Sequence, residues 1–260
     1  MSALFDLVTA AKVYDLSQPY FVGMPHFPTH PPFLFSLTRL HGEHVGPMGH
    51  SSAADALALG THCGTHIDAL GHFSCGGMFY GQEPVVQSYG GGLAKYSADT
   101  IGPILRRCVL LDIARIAGVP VLPKDFEIAP EHLDAAAQGL AIQAGNIVLL
   151  RTGWSQYWNE PARFIAQGHG PGPSLAGARW LSARGVFAAG SDTLAFENIP
   201  TATMPVHVHL LVEKGIHIIE CLNLEEIAAA GASSFLFVAA PLRIRGATGA
   251  PMRPLALVAG

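Results

Sequence analysis

Asn146-Ile-Val-Leu-Leu-Arg151 is apolar at every interior position, with polar residues only at its two ends. A strand with one wet face alternates apolar and polar residues, whereas an unbroken aliphatic run is buried on both faces. Val109-Leu-Leu-Asp-Ile113, Gly185-Val-Phe-Ala-Ala189, Ile216-His-Ile-Ile219 and Phe235-Leu-Phe-Val-Ala239 read as strands of the same kind. Helix-like segments lie between them, at about 130–139, 174–184, 205–214 and 224–230. Ser174 suits a helix N-cap, and Gly185 and Gly215 suit helix ends. Strands alternating with helices predict an α/β fold. We expect a single domain over 1–260, with a mixed β-sheet core flanked by helices. Strand order is not encoded in such a pattern.

Half of the 260 residues are hydrophobic and 13% are charged, which indicates a globular core rather than a disordered chain. The net charge of -4 offers no basic footprint, so no nucleic-acid partner is expected. No membrane span is expected either, because no apolar run approaches the roughly 18 residues a spanning helix needs. The apolar segment from Ile104 to Val121 is broken by Arg106, Arg107, Asp112 and Arg115. Met1-Ser-Ala-Leu-Phe-Asp-Leu lacks a basic start and is interrupted by Asp6, so it does not read as a signal peptide. Cys63, Cys75, Cys108 and Cys221 form no C-x-x-C pair, which points to a reducing compartment and argues against a four-cysteine zinc site. The expected location is the cytoplasm.

Residues 19–34 carry five prolines, each pressing its predecessor toward extended geometry. Such a stretch reads as an ordered loop, and long ordered loops often border active sites. Phe21, Phe27, Phe33, Phe73, Phe79, Tyr80 and Trp154 are candidates for an aromatic pocket wall, with ordinary core packing as the alternative.

The chemistry concentrates in Thr61-His-Cys-Gly-Thr-His-Ile-Asp-Ala-Leu-Gly-His-Phe73. His62, His66, Asp68 and His72 fall within eleven residues, and imidazole with carboxylate is the ligand set that borderline divalent ions prefer. Gly64, Thr65 and Gly71 argue against a regular helix, so a turn has to bring the ligands together. His66 and Asp68 would point the same way if the chain there is extended. A hydrogen-bonded structural cluster is the alternative. Cys63 as a nucleophile lacks an evident base, and a buried thiol is the commoner case. Gly190-Ser-Asp192 lacks the G-x-S-x-G elbow, so Asp192 reads as a loop cap. A second candidate group lies in Pro205–Glu220. His207 shares a helical face with Leu210 and Leu211, and Glu220 ends an apolar strand, where a carboxylate needs a partner or an ion. His209 and His217 read as bystanders.

His62-Cys-Gly-Thr-His66-Ile-Asp68-Ala-Leu-Gly-His72 resembles the H-x-G-T-H-x-D-x-P-x-H signature of the cyclase family of metal hydrolases, which includes kynurenine formamidase and isatin hydrolase. Asp15-Leu-Ser17, Arg151-Thr-Gly-Trp154, Gly190-Ser-Asp-Thr193 and His207…Glu220 extend the resemblance over about 15–245. Leu70 stands where the signature has proline. The His207–Glu220 spacing is one residue longer than the resemblance leads one to expect, and the extra residue is assigned to the turn before Gly215, with His209 as the fallback ligand. The resemblance implies a β-sandwich- or barrel-like core and a homodimer or homotetramer. It implies Zn or Mn, one or two ions, held by His62, His66 and Asp68, with Asp68 bridging to a second ion on His207 and Glu220. It implies His72 as acid and base. The reaction would be hydrolysis of a non-peptide C–N bond in a small molecule, an aryl formamide or a cyclic amide or imide, through metal-activated water. Lactone hydrolysis is the alternative.

Overall fold

The computed structural model describes residues 2–259. Nine strands form one sheet: β1 Lys12–Asp15, β2 His66–Asp68, β3 Ile104–Asp112, β4 Ile147–Arg151, β5 Ala188–Ser191, β6 His217–Glu220, β7 Ser234–Ala239, β8 Gly249–Pro251 and β9 Leu255–Val258. Their order is β1-β9-β7-β3-β4-β5-β6-β2-β8. The central four, β3 to β6, are parallel. The flanking strands β7, β9, β1, β2 and β8 pair antiparallel, so the sheet is mixed.

The central strands are apolar throughout because two cores claim alternate residues. Cys108, Leu110, Ile147, Leu149 and Ile219 face one cluster. Val109, Leu111, Val148, Leu150 and Ile218 face the other, where α1 Pro130–Ala136 contributes Leu133 and α2 Leu175–Ala183 contributes Leu181. The first cluster also contains Tyr14 and Ala256 from one end of the sheet and Ile67 and Ala250 from the other. Residues from both end strands of the nine share this one cluster, and the sheet curls around it into a barrel-like form.

Ser174 caps α2 as its type suggests, its Oγ accepting the Gly177 N–H at 3.0 Å. Two elements differ from expectation. The strand expected at Gly185–Ala189 runs over Ala188–Ser191, because Gly185 sits at φ +63° and forms the turn. Gly190 is inside the strand, where a Cβ would lie 2.6 Å from the Ile219 carbonyl oxygen. The helix expected at 205–214 begins as α3 Pro205–His207 and continues as a π-helix over Val208–Lys214. It packs on the second core through Val206, Leu210 and Leu211. A short helix, α4 Glu225–Ala229, follows β6.

This topology places the chemistry. In parallel sheets ligands bind beyond the carboxyl ends of the strands. Glu220 closes β6, and its register partner on β2 is His66. The strand that carries the signature therefore lies against the strand that carries the second carboxylate.

Candidate metal centre

The signature enters through a turn. The Cys63 N–H bonds the Gly60 carbonyl at 3.1 Å, and Gly64 takes φ +66°. A Cβ at Gly64 would overlap the Tyr20 ring, whose hydroxyl donates to the Cys63 carbonyl at 2.9 Å. From Gly64 the chain passes directly into β2, so His66 and Asp68 emerge on one side, as alternation requires. Both are buried. His72 follows in a short 3-10 turn, and its ring lies 3.9 Å from that of His62, centre to centre.

Asp68 is the hub. His62 Nδ1 lies 2.7 Å from its Oδ1, and His66 Nε2 lies 3.5 Å away. Neither contact has the direction of a hydrogen bond, so His66 Nε2 and both Asp68 oxygens are buried without a partner. His62, Asp68 and His72 each present a donor atom within 4.8 Å of the others. Asp68, His207 and Glu220 form a second such group. His66 Nε2 is 3.4 Å from Glu220 Oε2, and His207 Nε2 is 3.3 Å from Glu220 Oε1. The five residues expected as ligands therefore lie in two adjoining groups that share Asp68, with His66 between Asp68 and Glu220, and His72 joins the first group as a further donor.

In His62, His66 and His207 the remaining ring nitrogen is already engaged. His66 Nδ1 lies 2.8 Å from the Gly64 carbonyl, which can only accept, so Nδ1 carries a proton and Nε2 is the ring atom turned inward. His207 Nδ1 is held at 2.7 Å by Glu197 Oε2. His62 Nε2 meets Thr248 Oγ at 2.8 Å. His217 donates from Nδ1 to the Asp68 carbonyl at 2.8 Å. Glu220 Oε1 accepts the Phe196 N–H at 2.7 Å.

Two buried carboxylates demand positive charge. Burial opposes the charged form of His66, but the Asp68 and Glu220 carboxylates outweigh it and push the ring up to about 10. His207 is pushed up to about 10 against its own burial, by Glu197 and Glu220. Burial and the Asp68 charge raise Glu220, yet His207 and His66 bring it down to about 2. Asp68 lies well below the usual carboxylate range despite burial, drawn down by His72 and His62. Burial drives His72 down to about 3, aided by the neighbouring rings of His62 and His207. Burying carboxylates without compensation is costly, and metal coordination is a recurrent compensation. Orphaned inward atoms, ordered tautomers and paired carboxylates fit a divalent ion.

The centre opens to a cavity of about 230 Å3, lined by Phe27, His30, Phe73, Leu194 and Met204 besides the site histidines. The proline-rich stretch does border the site, through Phe27, Thr29 and His30. Of the aromatics considered for a pocket wall, Phe27 and Phe73 line the cavity, while Phe33 and Trp154 are buried in the adjoining core. His209 is turned away, bound to Ser182 and Glu213, so His207 is the member at the centre. Burial lifts the Cys63 thiol to about 11, leaving it protonated at neutral pH. Asp192 is the loop cap its surroundings suggest, accepting from the Thr152 N–H and hydroxyl and from the Gly153 N–H.

Sequence reasoning missed Glu197, Thr248 and His30. Glu197 and Thr248 are single residues more than a hundred positions from the signature, and no spacing marks them. His30 stood within the proline-rich stretch, where its type was the available signal.

The chain belongs to the cyclase family. The family model described as "Putative cyclase" matches residues 14–198, a span that includes the signature and ends before His207 and Glu220. The isatin hydrolase of Roseibium aggregatum is 27% identical over 211 residues, covering 78% of this chain and 73% of its own. The kynurenine formamidase of Bordetella petrii is 25% identical over 251 residues, covering 94% and 97%. The crystal structure of a novel cyclase superposes with a TM-score of 0.86 at 27% identity, covering 98% of this chain and 90% of that one. Fold, site and relatives define a hydrolase.

Proposed function

We propose that this chain is a metal-dependent hydrolase of a non-peptide C–N bond, in an aryl formamide or a cyclic amide or imide. The observation that carries this reading is the set of buried, partnerless atoms, His66 Nε2 and both oxygens of Asp68, beside a cavity at the carboxyl end of β6. The names of the two relatives support the C–N class over a lactone. His62, His66 and Asp68 would hold a first ion, and Asp68, His207 and Glu220 would hold a second where two are bound. Mixed imidazole and carboxylate donors suit Zn or Mn. Such an ion, when bound, makes a water acidic near neutral pH and polarises a carbonyl.

The chain's own residues do the rest. His66 keeps its proton on Nδ1, so Nε2 stays available at neutral pH once the carboxylate charge is balanced. His72 faces the same cavity and is the group that receives a proton from water and returns it to the leaving nitrogen. Burial keeps the ring in its neutral form, with one nitrogen unprotonated. Phe27 and Phe73 flank a space of about 230 Å3, enough for a substrate built on one aromatic ring.

Cytoplasmic location is supported by four free cysteines. Among the described residues no helix is long and apolar enough to cross a membrane. A single domain over 1–260 is supported by the sheet, which draws strands from both ends of the chain. Self-association as a homodimer or homotetramer is supported by a two-stranded ribbon, Leu34–Arg39 with Ala54–Ala58, that joins no other strand among the described residues.

Elemental analysis of protein purified without added metal or chelator, followed by rates on aryl formamides, cyclic amides and imides, and lactones, tests the reading. One or two Zn or Mn per chain with turnover of the nitrogen compounds is expected. A chain that takes up neither metal on reconstitution overturns it. Turnover confined to lactones leaves the metal chemistry standing and corrects the substrate class.

A further inference from the structure

Phe196 and Glu197 lie between β5 and α3, outside the signature, yet they grip both distal donors. The Phe196 N–H donates to Glu220 Oε1 at 2.7 Å. Glu197 Oε2 takes His207 Nδ1 at 2.7 Å, and its Oε1 accepts the Val206 N–H at 2.9 Å. Glu197 Oε2 also receives the His207 N–H at 3.4 Å. Both side chains of the Glu197–His207 pair are almost completely buried, at 2% and 3% exposure. A buried carboxylate beside an imidazole selects which ring nitrogen keeps the proton. Here it leaves Nε2 facing Glu220, 3.3 Å from Oε1.

We propose that Glu197 is a positioning residue for the distal half of the centre. It fixes the orientation and tautomer of His207, so that Nε2 and the Glu220 carboxylate converge beside Asp68. This rests on the metal-centre reading above. A carboxylate behind a ligating histidine tunes metal affinity by about 10–100-fold. Glu197→Gln preserves volume and one acceptor oxygen but removes the charge. Glu197→Ala removes the contact outright.

The test is calorimetric titration of chelator-stripped protein with Zn2+, alongside thermal melting of each metal-free variant. Two binding events are expected for the native chain. In Glu197→Gln one of them should weaken by about 10–100-fold, while the other stays within threefold. Glu197→Ala should weaken the same event further, so that the charge-free acceptor rescues part of the loss. A purely structural role would instead lower the melting temperature and leave both affinities alike or weaken both together, and either pattern overturns the proposal. If Glu197→Ala does not fold, Glu197→Gln against native protein decides it by the same criterion. A native chain that binds no Zn2+ at all overturns the metal reading itself, a result separate from unchanged affinities in the variant.

Discussion

His66 and His72 sit six residues apart, meet the same carboxylate cluster, and are asked to do different work. His66 Nδ1 is committed to the Gly64 carbonyl and its Nε2 is buried without a partner. His72 lines the cavity and is partly exposed. Its ring nitrogen nevertheless falls inside the same 4.8 Å group as His62 and Asp68, a position a ligand could also occupy. Metal content and turnover, measured on the same samples, separate the roles. His66→Ala should lose both metal and activity. His72→Ala should keep its metal and lose about a hundredfold or more in kcat, the scale of an acid–base group. Loss of metal in His72→Ala would make it a ligand instead, and a kcat within threefold of native would remove it from the reaction. The four signature residues were legible because they crowd into eleven positions among small residues. Glu220 was legible because a carboxylate ending an apolar strand needs a reason. Glu197 had no such marker, since its role is defined only by the folded partner it faces.

At the level of elements, the turn at Gly64 and the helix after His207 set how far the ligands can stray. Gly64 combines a left-handed backbone with the Tyr20 ring against its α-carbon, so alanine there meets two penalties. The left-handed conformation alone costs an alanine about 1–2 kcal/mol. Displacing Tyr20 also strips the Cys63 carbonyl of its donor. Gly64→Ala should therefore lower the melting temperature by several degrees, at about 2–4 °C per kcal/mol for a chain of this size. It should also reduce bound metal, because the turn carries both His62 and His66. A variant with native melting and full metal content would show that the turn is not what aligns them. The π-helix has a comparable logic. Glu197 holds the start of α3, and β6 holds Glu220, so the residue in excess of the resemblance has to be absorbed between them. The segment that leads into the Gly215 turn, Val208–Lys214, is a π-helix, whose wider turns hold more residues per turn than an α-helix. Apolar periodicity marked a helix there, but an i→i+5 pattern differs too little from an α-helix over seven residues to be read in advance. Strands showed the same limit: their existence followed from aliphatic runs, while Gly190-Ser191 belongs to β5 for reasons of close packing that composition does not display.

Across the whole molecule the sheet curls because its two edges share one core, and neither strand order nor curl can be recovered from local pattern. The ribbon Leu34–Arg39/Ala54–Ala58 lies outside that arrangement. Phe35 pairs with Leu57 on one face, while Leu34 stands on the other, and all three are about half exposed. Leu37, Val45 and Met48 extend the apolar surface toward the tip, with Met48 91% exposed. An isolated two-stranded ribbon is marginal in water, so its apolar faces call for cover. In the self-association proposed above, a second copy of the chain would offer the same surface in return, as a two-fold contact does. The ribbon also joins His30 at the cavity to His62 at the centre, so holding it still steadies one wall of the site. The double variant Phe35→Glu with Leu37→Glu should therefore convert the native oligomer into a monomer by light scattering after size exclusion. Its KM should rise more than its metal content falls, since the change acts on the wall and not on the ligands. A native chain that is already monomeric, or a variant that keeps the native mass, would show that the ribbon is covered by something other than a copy of itself.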